Sequence, residues 1–173
     1  MENEEMIKFL EADFNQCFQQ MRYYDSQLFD SVKFLSTVYI GLIGIGIGLY
    51  EFGIKECKDF TFAAITSFVI ALLFGLFMLM VIIRNRIYFV HVTRYVNEIR
   101  KTFLEKKPIG FENKSKMYTN CEQPPFFNWR SSQAYLMYVI TSVNALLFGA
   151  IIFVWLPNAS CSWFRIIFGT IVL

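Results

Sequence analysis

Three long stretches of the chain carry no charged side chain: residues 34–50, 60–83 and 134–156. An uncharged apolar stretch longer than about 18 residues is typical of a membrane-spanning helix, because about 20 residues at 1.5 Å each cross the hydrocarbon layer. The pattern therefore predicts three transmembrane helices, of which the first is short but adequate. Residues 163–173 are strongly apolar but too few to cross a full bilayer. They form either a partial fourth transmembrane helix or the start of a longer one.

The polar stretch before the first span, residues 1–33, has apolar side chains at alternating spacings of three and four. This heptad spacing predicts an amphipathic helix that packs in a coiled coil or a helix bundle. The covering partner is either another part of the same chain or a neighbouring chain, and the spacing fits both. The members of this first stripe are Ile7, Leu10, Phe14, Cys17, Met21, Tyr24 and Leu28.

A second apolar stripe follows the span at residues 60–83, which continues without Gly or Pro to residue 107. Its spacing of three and four predicts that the same helix leaves the membrane and packs in an aqueous assembly. The members of this second stripe are Tyr88, Val92, Tyr95, Ile99 and Phe103. Residues 108–130 contain the Pro, Gly and Asn residues that are typical of a loop. Aromatic residues 126, 127 and 129 fit an interfacial belt before the third span.

The distribution of Lys and Arg predicts the orientation of the spans. Residues 84–130 hold ten of the sixteen Lys and Arg residues and residues 1–33 hold three, whereas the short connector at 51–59 holds two. Cytoplasmic segments carry the excess of Lys and Arg. We therefore expect residues 1–33 and the helix and loop at 84–130 in the cytoplasm, and the connector at 51–59 outside.

The composition agrees with a membrane protein, because the chain is 55% hydrophobic and only 17% charged. A net charge of +2 is too small to indicate nucleic-acid binding by bulk electrostatics. The predicted fold class is an all-α integral membrane protein with long amphipathic cytoplasmic helices, three to four transmembrane helices and a homo-oligomeric assembly.

Small and polar residues inside the spans are candidates for packing and for a pore. Gly41, Gly44 and Gly48 share one helical face, and small residues at this spacing let helices approach closely in lipid. Polar side chains are costly in the membrane, so they are expected to face another helix or a water path. The candidates for lining a pore are Thr141, Ser142, Asn144 and Arg165. For Arg165 the alternative is a side chain that reaches to the outer membrane interface.

The one histidine provides the best catalytic motif. Arg86 and His91 form an R-x4-H pattern, and Arg84 with His91 forms the looser R-x6-H pattern. Such spacings occur in the HEPN ribonuclease superfamily, where Arg and His pairs from two helical subunits meet to cleave RNA. On one helix Arg86 and His91 lie about 140° apart, so a catalytic site would need two chains. The alternative is that the arginines follow the positive-inside rule and that the histidine packs in a helix interface.

The other motifs point away from an enzyme. The four cysteines show no C-x-x-C pair, and one histidine cannot complete a usual zinc site, so we expect no metal and no cofactor. Cys57 and Cys161 fall in the two predicted outer connectors, where oxidising conditions permit a disulfide bond. Such a bond requires their Cα atoms to lie within about 7 Å of each other.

The whole chain resembles the small membrane accessory protein of type VI-B CRISPR systems, which has a divergent HEPN motif. The resemblance consists of the amphipathic N-terminal helix, the Gly-rich first span, the second span that ends in RNRIYFVH and the C-terminal apolar pair. It implies an octameric pore in the bacterial inner membrane that strengthens antiviral defence by an RNA-guided, RNA-cleaving effector. One R-x4-H motif at the membrane surface departs from a working nuclease, so we expect no ribonuclease activity.

Three functions fit these features of the sequence. The first is an oligomeric membrane pore or membrane-perturbing effector that depolarises the cell. The second is a membrane-anchored HEPN-like ribonuclease, for which direct RNA binding stays open. The third is a non-enzymatic anchor that recruits a partner to the membrane. The heptad, the glycine face and Asn144 favour the pore.

Overall fold

The computed structural model describes residues 2–106, 113–114, 116 and 118–155, with side chains from residue 4 onward. These residues form three helices: α1 (Glu2–Glu56), α2 (Thr61–Glu105) and α3 (Ser132–Trp155). The prediction of an all-helical chain is confirmed for this part, which contains no strand. Each of the three helices includes a segment long and apolar enough to cross a membrane. The partial span predicted at 163–173 lies outside the described residues, as do Cys161 and Arg165.

The turn between α1 and α2 is shorter than the connector predicted at 51–59, because α1 continues to Glu56. Cys57 then adopts a left-handed conformation with φ of 53°, and the Lys58 N–H donates to the Gly53 carbonyl at 3.1 Å. This closes the helix in the manner of a Schellman cap. The Asp59 carboxylate accepts a hydrogen bond from the Thr61 N–H at 3.0 Å and caps the start of α2. Hydrogen bonding by the Thr61 side chain, and by its N–H, lowers the pKa of Asp59.

Helix α2 passes from the uncharged stretch through residues 84–86 without interruption, as the sequence predicts. No Gly or Pro follows Gly75 before the end of this helix, so nothing in its backbone chemistry ends it where the apolar stretch ends. The helix therefore contributes to both compact units of the chain.

The first unit comprises Met1–Ser31 and Met80–Leu136 and is called the basic unit here, because it holds most of the Lys and Arg residues. Within it the two predicted stripes pack against each other. The rings of Tyr24 and Tyr88 stack at 5.8 Å, and the Tyr95 hydroxyl donates to the Asp13 carboxylate at 2.6 Å. The fully buried core of this unit includes Leu28, Ile82, Val90 and Val96.

The second unit comprises Val32–Leu79 and Met137–Leu173, described to residue 155, and is called the apolar unit. Its helical segments bury small and apolar side chains against one another, including those of Leu35, Ala64, Phe68, Ala71 and Leu147. Large apolar side chains also point outward, as Ile40 and Phe62 do with exposed fractions of 77% and 83%. An apolar outer surface suits a segment that is solvated by lipid.

Candidate functional site

Arg86, one half of the R-x4-H motif, is buried in the basic unit and only 8% exposed. Its guanidinium donates to the Gln133 side-chain oxygen at 2.7 Å, to the Pro125 carbonyl at 3.0 Å and to the Phe126 carbonyl at 3.4 Å. Burial lowers the pKa of Arg86, and a buried cation needs such acceptors to offset its lost hydration. All three guanidinium nitrogens are therefore engaged in holding the chain together.

Arg86 belongs to a row of polar side chains on α2 that holds the loop before α3. Arg94 donates to the Pro124 carbonyl at 3.1 Å and lies 4.3 Å from the centre of the Phe126 ring. Asn97 donates to the Gln123 carbonyl at 2.8 Å. We call Arg86, Arg94 and Asn97 the loop clasp. Its acceptors are mainly backbone carbonyls, which almost any sequence presents, and for that reason sequence reasoning missed Arg94 and Asn97.

The clasp also joins α3 to α1 within the basic unit. The Gln133 amide that accepts from Arg86 donates in turn to the Asp25 carboxylate at 3.3 Å. Asp25 lies on α1, Arg86 on α2 and Gln133 on α3. A chain of hydrogen bonds thus fixes all three helices of this unit, and its buried members are costly to remove.

Arg84 and His91, the other members of the motif, have different surroundings. Arg84 is exposed, and its guanidinium lies over the Tyr88 ring at 5.5 Å and donates to the Tyr88 hydroxyl at 3.2 Å. His91 is also exposed, and its ring meets Phe126 edge-on at 5.1 Å. Arg84 thus contacts Tyr88, whereas Arg86 and His91 both contact Phe126, at its carbonyl and at its ring respectively. No hydrogen bond links the three motif residues to one another in the described part of the chain.

Asn144 forms the main polar contact inside the apolar unit. The Tyr39 hydroxyl donates to its side-chain oxygen at 2.7 Å, and both residues are buried. Gly75 lies directly against this pair, because a Cβ atom there would collide with the Tyr39 hydroxyl and the Asn144 oxygen. The amide nitrogen of Asn144 has no hydrogen-bond partner among the residues that the structure describes. We call Tyr39, Gly75 and Asn144 the membrane pin.

The other pore candidates differ from Asn144, since Thr141 and Ser142 are exposed on α3. Asn144 meets the expectation that it faces another helix. Arg165, the fourth candidate, lies outside the described residues. Because a pore lining is defined by an assembly of chains, these residues stay predictions at the level of one chain.

The glycine face predicted for packing is open within one chain. A Cβ atom added at Gly41, Gly44 or Gly48 would meet nothing within 4 Å in the described residues. The glycines that do allow close approach are Gly75, described above, and Gly46, where a Cβ atom would collide with the Phe68 ring. The predicted glycine face is thus left for contacts with groups outside the described residues.

An open groove of about 540 Å³ lies in the basic unit between the start of α1 and the end of α2. Its walls include residues of both apolar stripes and it is mainly apolar. We call it the stripe groove. The residues that carry its apolar surface are Ile7, Leu10, Phe14, Ile99, Phe103 and Leu104.

Comparisons of this chain with known protein families, with curated proteins and with solved structures find no match. The fold defines a broad class of protein: the described residues form three helices, and each of them is long and apolar enough to cross a membrane. We therefore infer function from the contacts within the chain.

Proposed function

We propose that this chain is the subunit of a homo-oligomeric membrane pore. The observation that carries the proposal is the apolar surface that remains uncovered in the basic unit. After the two stripes have packed on each other, Met6, Ile7 and Phe9 are still half exposed or more and the stripe groove is open. Apolar surface in a polar segment is typical of a protein contact site.

Membrane insertion places the uncovered apolar surface of every chain in the same orientation. Chains inserted with one orientation meet through unlike surfaces, and such head-to-tail contacts close into a ring if the rotation permits. The open glycine face offers a second place for close helix approach, in the lipid. Exposed Thr141 and Ser142 give α3 hydroxyl groups that are better solvated by water around an axis than by lipid.

Such a ring would act without covalent chemistry, by letting ions run down the membrane potential. We further propose, from the resemblance alone, that it lies in the bacterial inner membrane with the basic unit in the cytoplasm. There it would strengthen defence by an RNA-guided, RNA-cleaving effector. The octameric count has the same basis.

The test measures assembly and water access together. The full chain, with its native cysteines replaced, is placed in nanodiscs to count subunits and in liposomes to measure ion flux. Ser142→Cys should react with a charged thiol reagent, and the reaction should block the flux. Leu73→Cys is the matched control, because Leu73 has an exposed apolar side chain on α2 in the apolar unit. A monomeric protein, or an assembly without flux, would contradict the pore and favour the recruitment anchor.

A membrane-anchored HEPN-like ribonuclease is the second candidate, because His91 is exposed and thus open to a substrate. Against it, Arg86 is only 8% exposed and each of its guanidinium nitrogens donates to a group of the same chain, so this arginine is not presented to an RNA phosphate. We therefore expect no RNA cleavage by the purified protein, while His91→Ala weakens assembly or defence. Cleavage by the wild-type protein that is lost in His91→Ala would reverse this order.

A further inference from the structure

The two stripes bury each other less completely toward the start of α1. Leu28, at one end of the first stripe, is 1% exposed, whereas Ile7 at the other end is 50% exposed. The stripe groove lies at this less covered end, since Ile7 and Leu10 form part of its wall. The groove is therefore the part of the stripe contact that the described residues leave open.

Phe9 is an exposed apolar side chain in the same turn of α1. It is 67% exposed and does not line the groove. At 100° per residue it lies about 160° from Ile7 around the helix, so it points away from the groove wall. One helical turn thus carries an apolar depression on one side and an apolar projection on the other.

Charges around the two features are complementary. Next to the stripe groove is a second depression that shares Leu104 and Asn113 with it. Its charged lining residues are Lys101, Glu105, Lys114 and Lys116, and because Glu105 pairs with Lys101 at 3.9 Å, Lys114 and Lys116 make this surface basic. On α1, Glu5 lies one turn before Phe9 on the same face and is exposed. A second α1 helix that inserted Phe9 into the groove would have a carboxylate close to a basic surface.

We infer that the stripe groove receives Phe9 from the α1 helix of a second copy of this chain, with Glu5 of that copy beside Lys114 and Lys116. This inference rests on the proposed self-association and specifies the contact that closes the ring. Corresponding residues of co-oriented copies lie at one level of the membrane, so the projection of each copy meets the depression of the next.

The direct test is photo-crosslinking in the full chain, purified in nanodiscs. A benzophenone amino acid replaces Phe9, and isotopically heavy and light subunits are mixed before assembly. Adducts between heavy and light chains should map to residues 99–104. The same probe at Tyr23, which is 58% exposed on the same helix, is the matched control and should give no adduct there.

The second test is charge reversal, followed by subunit counting. Glu5→Lys should weaken self-association, and Lys114→Glu with Lys116→Glu in the same chain should restore it. Phe9→Ala should raise the dissociation constant about thirtyfold, as expected for truncation of a buried aromatic anchor.

Each other outcome overturns the inference in a recognisable way. Adducts within one chain, to lipid or to a different co-purified protein would show that Phe9 has another contact and does not enter the groove of a second copy. An assembly that forms normally with Phe9→Ala would reject this contact but leave the proposed pore in place. A wild-type protein that is monomeric in nanodiscs would reject both.

Discussion

Replacing Gly75 with alanine places a methyl group where α2 meets the Tyr39 hydroxyl and the Asn144 oxygen. The Cβ atom would also lie 2.9 Å from Cζ of Tyr39, so rotating the hydroxyl alone does not remove the collision. The ring of Tyr39 is buried and has little room to withdraw. We therefore expect Gly75→Ala to separate the members of the membrane pin.

The expected change in the free energy of unfolding combines two costs and one gain. Forcing an extra methyl group into a packed interior costs about 1–3 kcal/mol. Loss of the hydrogen bond between Tyr39 and Asn144 adds about 0.6–2 kcal/mol in a membrane. Alanine in place of glycine within a helix returns about 0.5–1 kcal/mol. Gly75→Ala should thus lower the free energy of unfolding by about 1–4 kcal/mol.

The assay is unfolding in mixed micelles by increasing detergent, with helix content as the readout. Tyr39→Phe removes the atom that the new methyl group would meet first, so the double variant should recover part of the loss. That recovery is the signature of a direct contact, because distant substitutions simply add. Gly75→Ala with wild-type stability, or a strictly additive double variant, would refute the membrane pin.

Substitutions at three further positions test the other contacts. The methyl group of Gly44→Ala meets open space among the described residues, so the free energy of unfolding of the monomer should stay unchanged or rise slightly. Self-association measured in nanodiscs should decrease, because the glycine face no longer allows close helix approach. Equal assembly of the variant and the wild-type protein would exclude this face as an interface. Arg86→Ala leaves buried acceptors unpaired and should lower the free energy of unfolding by about 3 kcal/mol, with faster trypsin cleavage after Lys114. Arg86→Lys should show only part of the wild-type stability, because one ammonium group cannot reproduce the planar fork of the guanidinium. An unchanged cleavage rate in Arg86→Ala would contradict the loop clasp. Asp59 has a lowered pKa, so its contribution to stability is present above the ordinary carboxyl pKa and is lost as the pH falls through the pKa of the folded protein. Asp59→Asn keeps the helix cap and should remove this pH dependence. Unfolding curves at several pH values measure the difference between the two proteins.

Much of the helical framework follows from the sequence because its causes are local. The uncharged stretches are long, and the spacing of three and four continues the helical pattern before the first of them and after the second. Nothing between Gly75 and the end of α2 favours a break, and the helix indeed continues to Glu105. The end of α1 was harder to predict, since the charged residues between Glu51 and Asp59 suggested a connector, yet the structure continues the helix to Glu56.

The contacts of the candidate sites depend on the rotation of helices that are distant in sequence. Tyr39 and Asn144 are 105 positions apart, and no local pattern selects Tyr39 as the donor. The same applies to Gly46 and Gly75: the glycine spacing drew attention to Gly41, Gly44 and Gly48, which face outward. Spacing shows which residues share a face, but the direction of that face is set by packing.

Exposed apolar side chains have different meanings in the two units, and this decides which contacts bear on assembly. In the apolar unit an exposed Ile40 or Phe62 is satisfied by lipid, since lipid tails are as apolar as the side chains. Exposure there gives no driving force for association, and the open glycine face adds only close packing. The start of α1 belongs to a polar segment, where water leaves the exposed Phe9 and the stripe groove unsatisfied. Phe9→Ala should therefore weaken self-association more than Gly44→Ala does, and measuring the dissociation constants of both variants separates the two interfaces.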